Sequence, residues 1–292
     1  MLKTKRGQTV WLITQPAHAE LAGQMAAHWG NEDFAVPGHF TKSADPERLR
    51  REVVLAVAEH DNGWWEWEAD PPLSAEDGLP QGLGEVLEHP TAGLDRWRLG
   101  IPRLAKRHPY ASLLIGDHAY WLYATQFNRN SPAEFTHMLQ RGRAIYPSDL
   151  EKEARRFLGD VQHMQGEFRC RLEEDPFWKV SLEPEHRKPH ARLLQTLDAL
   201  SLALCACVIE PVEGKAKGIG EDHIRFTEVP RRGWADRVSL EVKPVGDGRI
   251  IVDQYPFDES PLTVTVPARA VEPHTSRCQA PWILKRFTFL RK

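Results

Sequence analysis

The stretch Asp45–Gly63, DPERLRREVVLAVAEHDNG, decides how the rest of the chain is read. Asp45 is a good N-cap and Pro46 suits the first helical turn, so a helix opens there. Its first turns are charged. Val53 to Ala58 is then apolar on every side, which marks a helix buried in a core. The helix closes on His60-Asp61-Asn62-Gly63, with Gly63 permitting the stop. A His and an Asp therefore stand side by side at the end of a buried helix, where polar groups need partners.

Three other segments carry the same kind of misfit. Upstream, Thr14 offers an N-cap and Pro16 lies in the first turn of PAHAELAGQMAAHWG. Leu21, Ala22, Met25, Ala26 and Trp29 follow His18 at helical spacing, so His18 heads an amphipathic stripe. Gly30 ends that helix. Downstream, PYASLLIGDHAYWLYATQF (109–127) is apolar on most faces and sets His118 among Leu114, Ile115, Trp121 and Leu122. In HARLLQTLDALSLALCACVIE (190–210), Asp198 sits among leucines. Residues 64–109 read as irregular structure or short helices, a break long enough to be functional. Residues 148–172 read as a solvated charged helix.

The pattern changes after Pro211. HIRFTEV, RVSLEVKPV, RIIVDQY, LTVTVPARAV and ILKRFTFLR alternate at period two, and Gly246-Asp247-Gly248 signals a hairpin. The expected fold is mainly α: a helical core with a C-terminal antiparallel β subdomain over residues 210–292. The short run Val10–Ile13 is a candidate extra strand.

At 292 residues the chain can form one large domain or two modest ones. Lys and Arg number 38 against 41 Asp and Glu, a net charge of −3 that makes no case for a nucleic-acid partner. No run of 18 apolar residues predicts a membrane span. The N-terminal MLKTKRGQTV is basic, but the apolar run after it is too short for a signal peptide, so a cytoplasmic location is expected. Cys170, Cys205, Cys207 and Cys278 form no CxxC pair, against a zinc ribbon or thioredoxin-like motif. No phosphate-binding glycine loop, GxSxG elbow or dinucleotide fingerprint is present.

A carboxylate in a leucine-rich helix needs a cation, either Arg, Lys or a metal. His18, His60, Asp61 and Asp198, with His118 as a further histidine, suit a divalent ion. Mixed imidazole and carboxylate ligands favour Mn, Fe, Co, Ni or Zn. The competing reading is a set of satisfied structural groups, with Asp198 paired to Arg192 or to a tryptophan N–H. His118 fits either a ligand or a core histidine. Trp64, Trp65 and Trp67 either wall a pocket or pack the core. Arg96, Arg98, Arg103, Lys106 and Arg107 form a basic cluster that either holds a phosphate or is solvated, with Arg98 and Lys106 as the candidate contacts. Glu59 and Glu66 flank the His-Asp pair as acid–base candidates. Asp61 is the candidate to orient an attacking water.

This ordered set resembles the HD superfamily of metal-dependent phosphohydrolases, which place a His on an early helix, a His-Asp pair ending the next, and an Asp on a late one. LITQPAHAELA, VAEHDNGW and LDALSLALC also resemble a mostly bacterial family of unknown function, across most of the chain. The resemblance implies an HD-like metal-binding domain over residues 1–209, ligated by His18, His60, Asp61, His118 and Asp198. Residues 210–292 would be a β-rich extension packed on it. The implied activity is metal-dependent hydrolysis of a phosphate ester or nucleotide, with a phosphorylated small molecule as partner. In two-metal members further histidines come from intermediate helices; His118 fits, and His89 or His108 would have to supply another. The alternatives are an HD-like iron oxygenase and a non-catalytic small-molecule-binding protein. The oligomeric state is left open.

Overall fold

The computed structural model describes residues 1–40, 43–88, 91–127, 133–140, 150–273 and 280–292. His89 and Cys278 lie outside these. In chain order the elements are β1 (Leu2–Arg6), β2 (Thr9–Ile13), α1 (Gln15–Ala27), α2 (Pro46–Ala58), α3 (Trp65–Ala69), α4 (Leu83–Leu87), α5 (Ala92–Arg103), α6 (Pro109–Phe127), α7 (Glu151–Glu173), α8 (Lys179–Leu182) and α9 (Pro184–Cys205). They continue with β3 (Ile224–Gly233), β4 (Asp236–Gly246), β5 (Arg249–Asp253), β6 (Leu262–Val271) and β7 (Trp282–Arg291). Among the described residues no helix is long and apolar enough to cross a membrane.

The expectation of a mainly α fold with an antiparallel C-terminal β subdomain is corrected here. All seven strands form one curled, mixed sheet in the order β1-β2-β6-β7-β5-β4-β3. The sheet is a major layer of the molecule and draws strands from both ends of the chain. The core is therefore not all-helical. Val10–Ile13 is indeed in a strand, and β2 pairs with β6 through Val10↔Val271. Beyond it, β1 forms a hairpin with β2 and lies at the sheet edge. Its Lys3, Lys5 and Arg6 hid it from a hydrophobic reading, because an edge strand tolerates and even benefits from such charges. Leu2 and Thr4 supply its buried face. The sheet is also not purely antiparallel: β5 runs parallel to β7, with Ile250 opposite Phe289.

Period-two burial explains how the helices rest on the sheet. Val264 and Val266 of β6, Phe287 and Phe289 of β7, and Leu240 and Val242 of β4 all face the main core. α1 packs on β6, and α9 packs on β3 and β1. Two polar clamps fix those seats. The Gln24 side chain of α1 donates to the Thr265 carbonyl at 2.8 Å and accepts from the Thr265 N–H at 3.0 Å. Thr4 of β1 donates to the Cys205 carbonyl at the end of α9 at 3.1 Å.

The helices then cross closely. Gly23 of α1 lies against Ala58 of α2, and a Cβ at Gly23 would sit 2.5 Å from the Ala58 Cβ. That approach brings the His-Asp pair at the end of α2 beside His18. Thr14 caps α1 by accepting from Ala17 N–H, with Pro16 in the first turn. Asp45 caps α2 through Arg48 N–H at 2.9 Å.

Candidate metal centre

His18 lies in the second turn of α1, His60-Asp61 just after α2, His118 in the middle of α6 and Asp198 in the middle of α9. The fold brings all five together. His18, His60 and His118 are each 1% exposed, Asp198 5% and Asp61 8%, so these groups meet away from bulk water. His18 Nε2 is 2.9 Å from Asp61 Oδ2. His60 Nε2 is 3.2 Å from Asp198 Oδ1, and His118 Nε2 is 3.3 Å from Asp198 Oδ2.

The hydrogen-bond partners fix which ring nitrogen faces the centre. His60 Nδ1–H donates to the Val57 carbonyl at 2.7 Å, which turns Nε2 inward. Despite its proximity to Asp198, that nitrogen has no hydrogen-bond partner among the described residues. The Ser201 hydroxyl donates to the Asp198 carbonyl at 2.9 Å. Its oxygen therefore accepts from His18 Nδ1 at 2.8 Å, and His18 Nε2 is left facing the Asp61 carboxylate. In both neutral rings a nitrogen lone pair points at a carboxylate oxygen. Such an arrangement needs a proton or a metal cation between the two groups. Metal-bound histidines carry the same signature, one ring N–H held by a protein acceptor and the other nitrogen free to ligate.

Without a metal the cluster must hold its own charge. Burial disfavours the His60 imidazolium, but Asp198 and Asp61 outweigh it and raise the pKa to about 9. Burial lowers the pKa of His118. Burial alone would raise the Asp198 carboxyl, but the charge on His60 and the hydrogen bonds from the surrounding histidines hold it well below the usual range.

Two ligand triads emerge, His18/His60/Asp61 and His60/His118/Asp198, each with ligand atoms within 4.8 Å of one another. Ligand atoms sharing one ion at bonds of about 2.0–2.2 Å lie roughly 3–4 Å apart, so the observed separations need little adjustment. His60 belongs to both triads, and its Nδ1 is committed to Val57. Its single available lone pair can serve only one ion at a time. His108 supplies no second site: its Nδ1 is paired with Glu52 at 2.8 Å.

A histidine absent from the sequence reading completes the cluster. His137 lies between two short 3-10 turns, Ala133–Phe135 and Met138–Gln140. Leu139 N–H donates to its Nδ1 at 3.1 Å, so the ring hydrogen is on Nε2, 3.1 Å from Asp198 Oδ2. A protonated nitrogen cannot ligate; His137 stands beside the carboxylate, 3.1 Å from Asp198 Oδ2, rather than among the ligands. Phe135 anchors this segment between Trp121 of α6 and Trp234 of the β3–β4 turn, at centroid distances of 4.8 and 5.3 Å. Its surroundings in the sequence show no helical or strand period, so nothing there marked His137.

A small, partly open cavity of about 50 Å³ lies over the cluster. His18, Asp61, His118 and Asp198 reach it, with Trp64, Trp97 and Gln15 in its wall. Gln15 is one turn before His18, a spacing that could have marked it. Its Oε1 is buried with no hydrogen-bond partner among the described residues. Of the three tryptophans after the pair, Trp64 faces the cavity, Trp67 packs edge-on against Trp64, and Trp65 is exposed. Gly63 is required by space: a Cβ there would run into the Arg96 carbonyl of α5.

The basic cluster is elsewhere. Arg98 binds Asp95, Glu153 and Asp160 at 3.2, 2.8 and 3.2 Å, and Lys106 is exposed. Neither lines the cavity. Arg192 donates to the Thr227 and Glu228 carbonyls, and the partners of Asp198 are histidines rather than an arginine. Glu66 is paired with Arg103. Glu59 is half-buried, and that burial raises its pKa.

The chain belongs to the family described as "Protein of unknown function (DUF3891)", whose model matches residues 1–273. No curated protein and no solved structure gives a significant match.

Proposed function

We propose that this DUF3891 member is a metal-dependent hydrolase of a phosphate ester, with one divalent ion held by His18, His60, Asp61, His118 and Asp198. The observation that carries the reading is the convergence of these five buried groups, with the Nε2 atoms of His18 and His60 turned toward carboxylates and both Nδ1 atoms anchored. The order of these residues along the chain also resembles the HD-like pattern. Imidazole and carboxylate ligands together suit Mn, Fe, Co, Ni or Zn. Bound there, the ion would polarise a phosphoryl oxygen and lower the pKa of a bound water.

The chain's own groups do the rest. Asp61, the more exposed of the two carboxylates that line the cavity, is the acceptor for a water proton. Ser201 and Val57 hold His18 and His60 in their ligating orientation, and His137 lies beside Asp198. Trp64 and Trp97 limit water around the reacting group. Metal analysis followed by phosphatase and phosphodiesterase assays with Mn, Co, Ni and Mg tests this reading. Activity that follows metal content and disappears in His60→Ala supports it. Metal-loaded protein that hydrolyses no phosphate ester refutes it. Iron content with an oxygen-dependent absorbance change would favour an oxygenase instead.

A further inference from the structure

Gln15 opens α1 one turn before His18, so the two side chains leave the helix on one face. Its backbone N–H donates to Glu68 of α3 at 3.0 Å, which ties it to the segment that follows the His-Asp pair. The side chain lines the cavity over the cluster together with His18 and Asp61. Gln15 is 2% exposed, and its Oε1 has no hydrogen-bond partner among the described residues. A buried amide oxygen in that state is destabilising unless a molecule from outside the chain completes the bond.

The size of the cavity limits what that molecule is. A space of about 10–15 Å³ holds one water, so about 50 Å³ has room for a few waters and not for the whole of an ester. A buried water also needs roughly two to four polar partners. Asp61 is one of them: its Oδ2 faces His18 Nε2 at 2.9 Å, and its Oδ1 is the oxygen left for a further donor. Asp61 and Gln15 Oε1 can then receive the two hydrogens of one water. A water with both hydrogens taken by fixed acceptors turns its lone pairs the other way, toward an incoming phosphorus.

We infer that Gln15 is a further catalytic residue, whose Oε1 holds and orients the water that attacks the ester. For the attack the inference rests on the hydrolase reading above; for the water it rests on the cavity and the unpaired oxygen alone. The step adds water across one P–O bond. The water oxygen bonds to phosphorus, and the ester oxygen leaves with the electrons of its bond. The proton taken by Asp61 passes to the leaving alcohol, while the second hydrogen stays on the new phosphoryl oxygen, held by Gln15. Nothing is oxidised or reduced.

The test compares the wild-type full chain with Gln15→Met, which keeps the shape and removes the amide oxygen. Crystals of the wild type, metal-free and loaded with Mn²⁺, are expected to show an ordered water within about 3 Å of Gln15 Oε1 and of Asp61. An empty position there, or a Gln15 amide bonded to a protein group, overturns the inference. With Mn²⁺ and p-nitrophenyl phosphate or bis(p-nitrophenyl) phosphate, Gln15→Met is expected to lower kcat ten- to a hundredfold, with KM within about twofold and one metal still bound per chain. The urea midpoint of the metal-free variant is expected to equal or exceed that of the wild type, because an unpaired buried acceptor has been removed. An unchanged kcat overturns the inference and leaves the hydrolase reading standing. A lowered urea midpoint makes Gln15 a structural residue and also overturns it. A wild type that hydrolyses no ester refutes the hydrolase reading and the attack with it, even where the crystals show the water in place.

Discussion

Among the buried polar side chains of helices α6 and α9, two on each lie a little over two turns apart: Tyr110 and His118 on one, His190 and Asp198 on the other. The two levels behave differently. At the first, His190 Nε2 accepts from Gly38 N–H at 3.2 Å, so its Nδ1 carries the hydrogen shared with the Tyr110 hydroxyl at 2.9 Å. Both ring nitrogens are occupied by neutral partners, and burial lowers the His190 pKa to about 3. At the second, His118 and Asp198 meet histidines from three other segments, and carboxylates face nitrogen lone pairs. Burial of a histidine therefore does not make a site. What separates the two levels is whether the ring's hydrogen-bonding capacity is met by neutral protein groups or left facing charge.

Substitution at the two levels should split along that line. Asp198→Asn keeps the shape and removes the charge. The wild type should gain about 4 kcal/mol of stability when free metal exceeds the Kd roughly a thousandfold, and Asp198→Asn should lose that gain. Urea unfolding with and without chelator measures it; a variant that keeps the metal-dependent gain would erase the distinction. His190→Leu should cost about 1–3 kcal/mol for each of the two stranded partners, the Tyr110 hydroxyl and Gly38 N–H. That loss should be equal with and without metal, and metal content should be unchanged.

The comparison also predicts a pH dependence. The folded-state pKa of His190 lies below the ordinary value of about 6.5. Between the two values the unfolded chain binds the extra proton, so stability falls as pH drops below about 6.5. His190→Leu should remove this component. The difference between wild-type and variant urea midpoints should narrow from pH 7 to pH 5; a constant difference would mean His190 is not buried neutral.

His137 sharpens the boundary from the other side. It belongs to the charged level, yet its Nε2 carries the hydrogen and only stands beside Asp198, at 3.1 Å. His137→Leu should keep one metal per chain and weaken its binding ten- to a hundredfold, as for other outer partners of a ligand. Loss of the metal altogether would make His137 a ligand. Arg98→Ala, on the ion-paired surface, should change stability by no more than about 1 kcal/mol and leave metal affinity intact. A large drop in metal or ligand affinity would return Arg98 to the site.

Much of the centre was legible because polar residues interrupt strong helical patterns. His18, His60-Asp61, His118 and Asp198 all stand out against apolar neighbours, and α1, α2, α6 and α9 place them together. His137 was not legible, because its position depends on Phe135 stacking between two distant tryptophans. The fold was read less well. Strands β3 to β7 carry visible alternation, but strand β1 is charged and its membership depends on pairing with β2. The parallel contact of β5 with β7 is a matter of topology, which local alternation does not encode. The basic run around Arg98 and Lys106 read equally as a phosphate site or a solvated surface, because a sequence shows charges but not partners such as Glu153 and Asp160 of α7 for Arg98.

The central claim is that five buried groups from four helical segments hold a single ion, and metal stoichiometry tests it most directly. Equilibrium dialysis of chelator-stripped protein against Mn²⁺ or Zn²⁺, read by elemental analysis, should give one equivalent per chain. His60→Ala should give close to none, since both triads share that Nε2. Two equivalents in the wild type, no uptake, or unchanged uptake in His60→Ala with the fold intact would contradict the account.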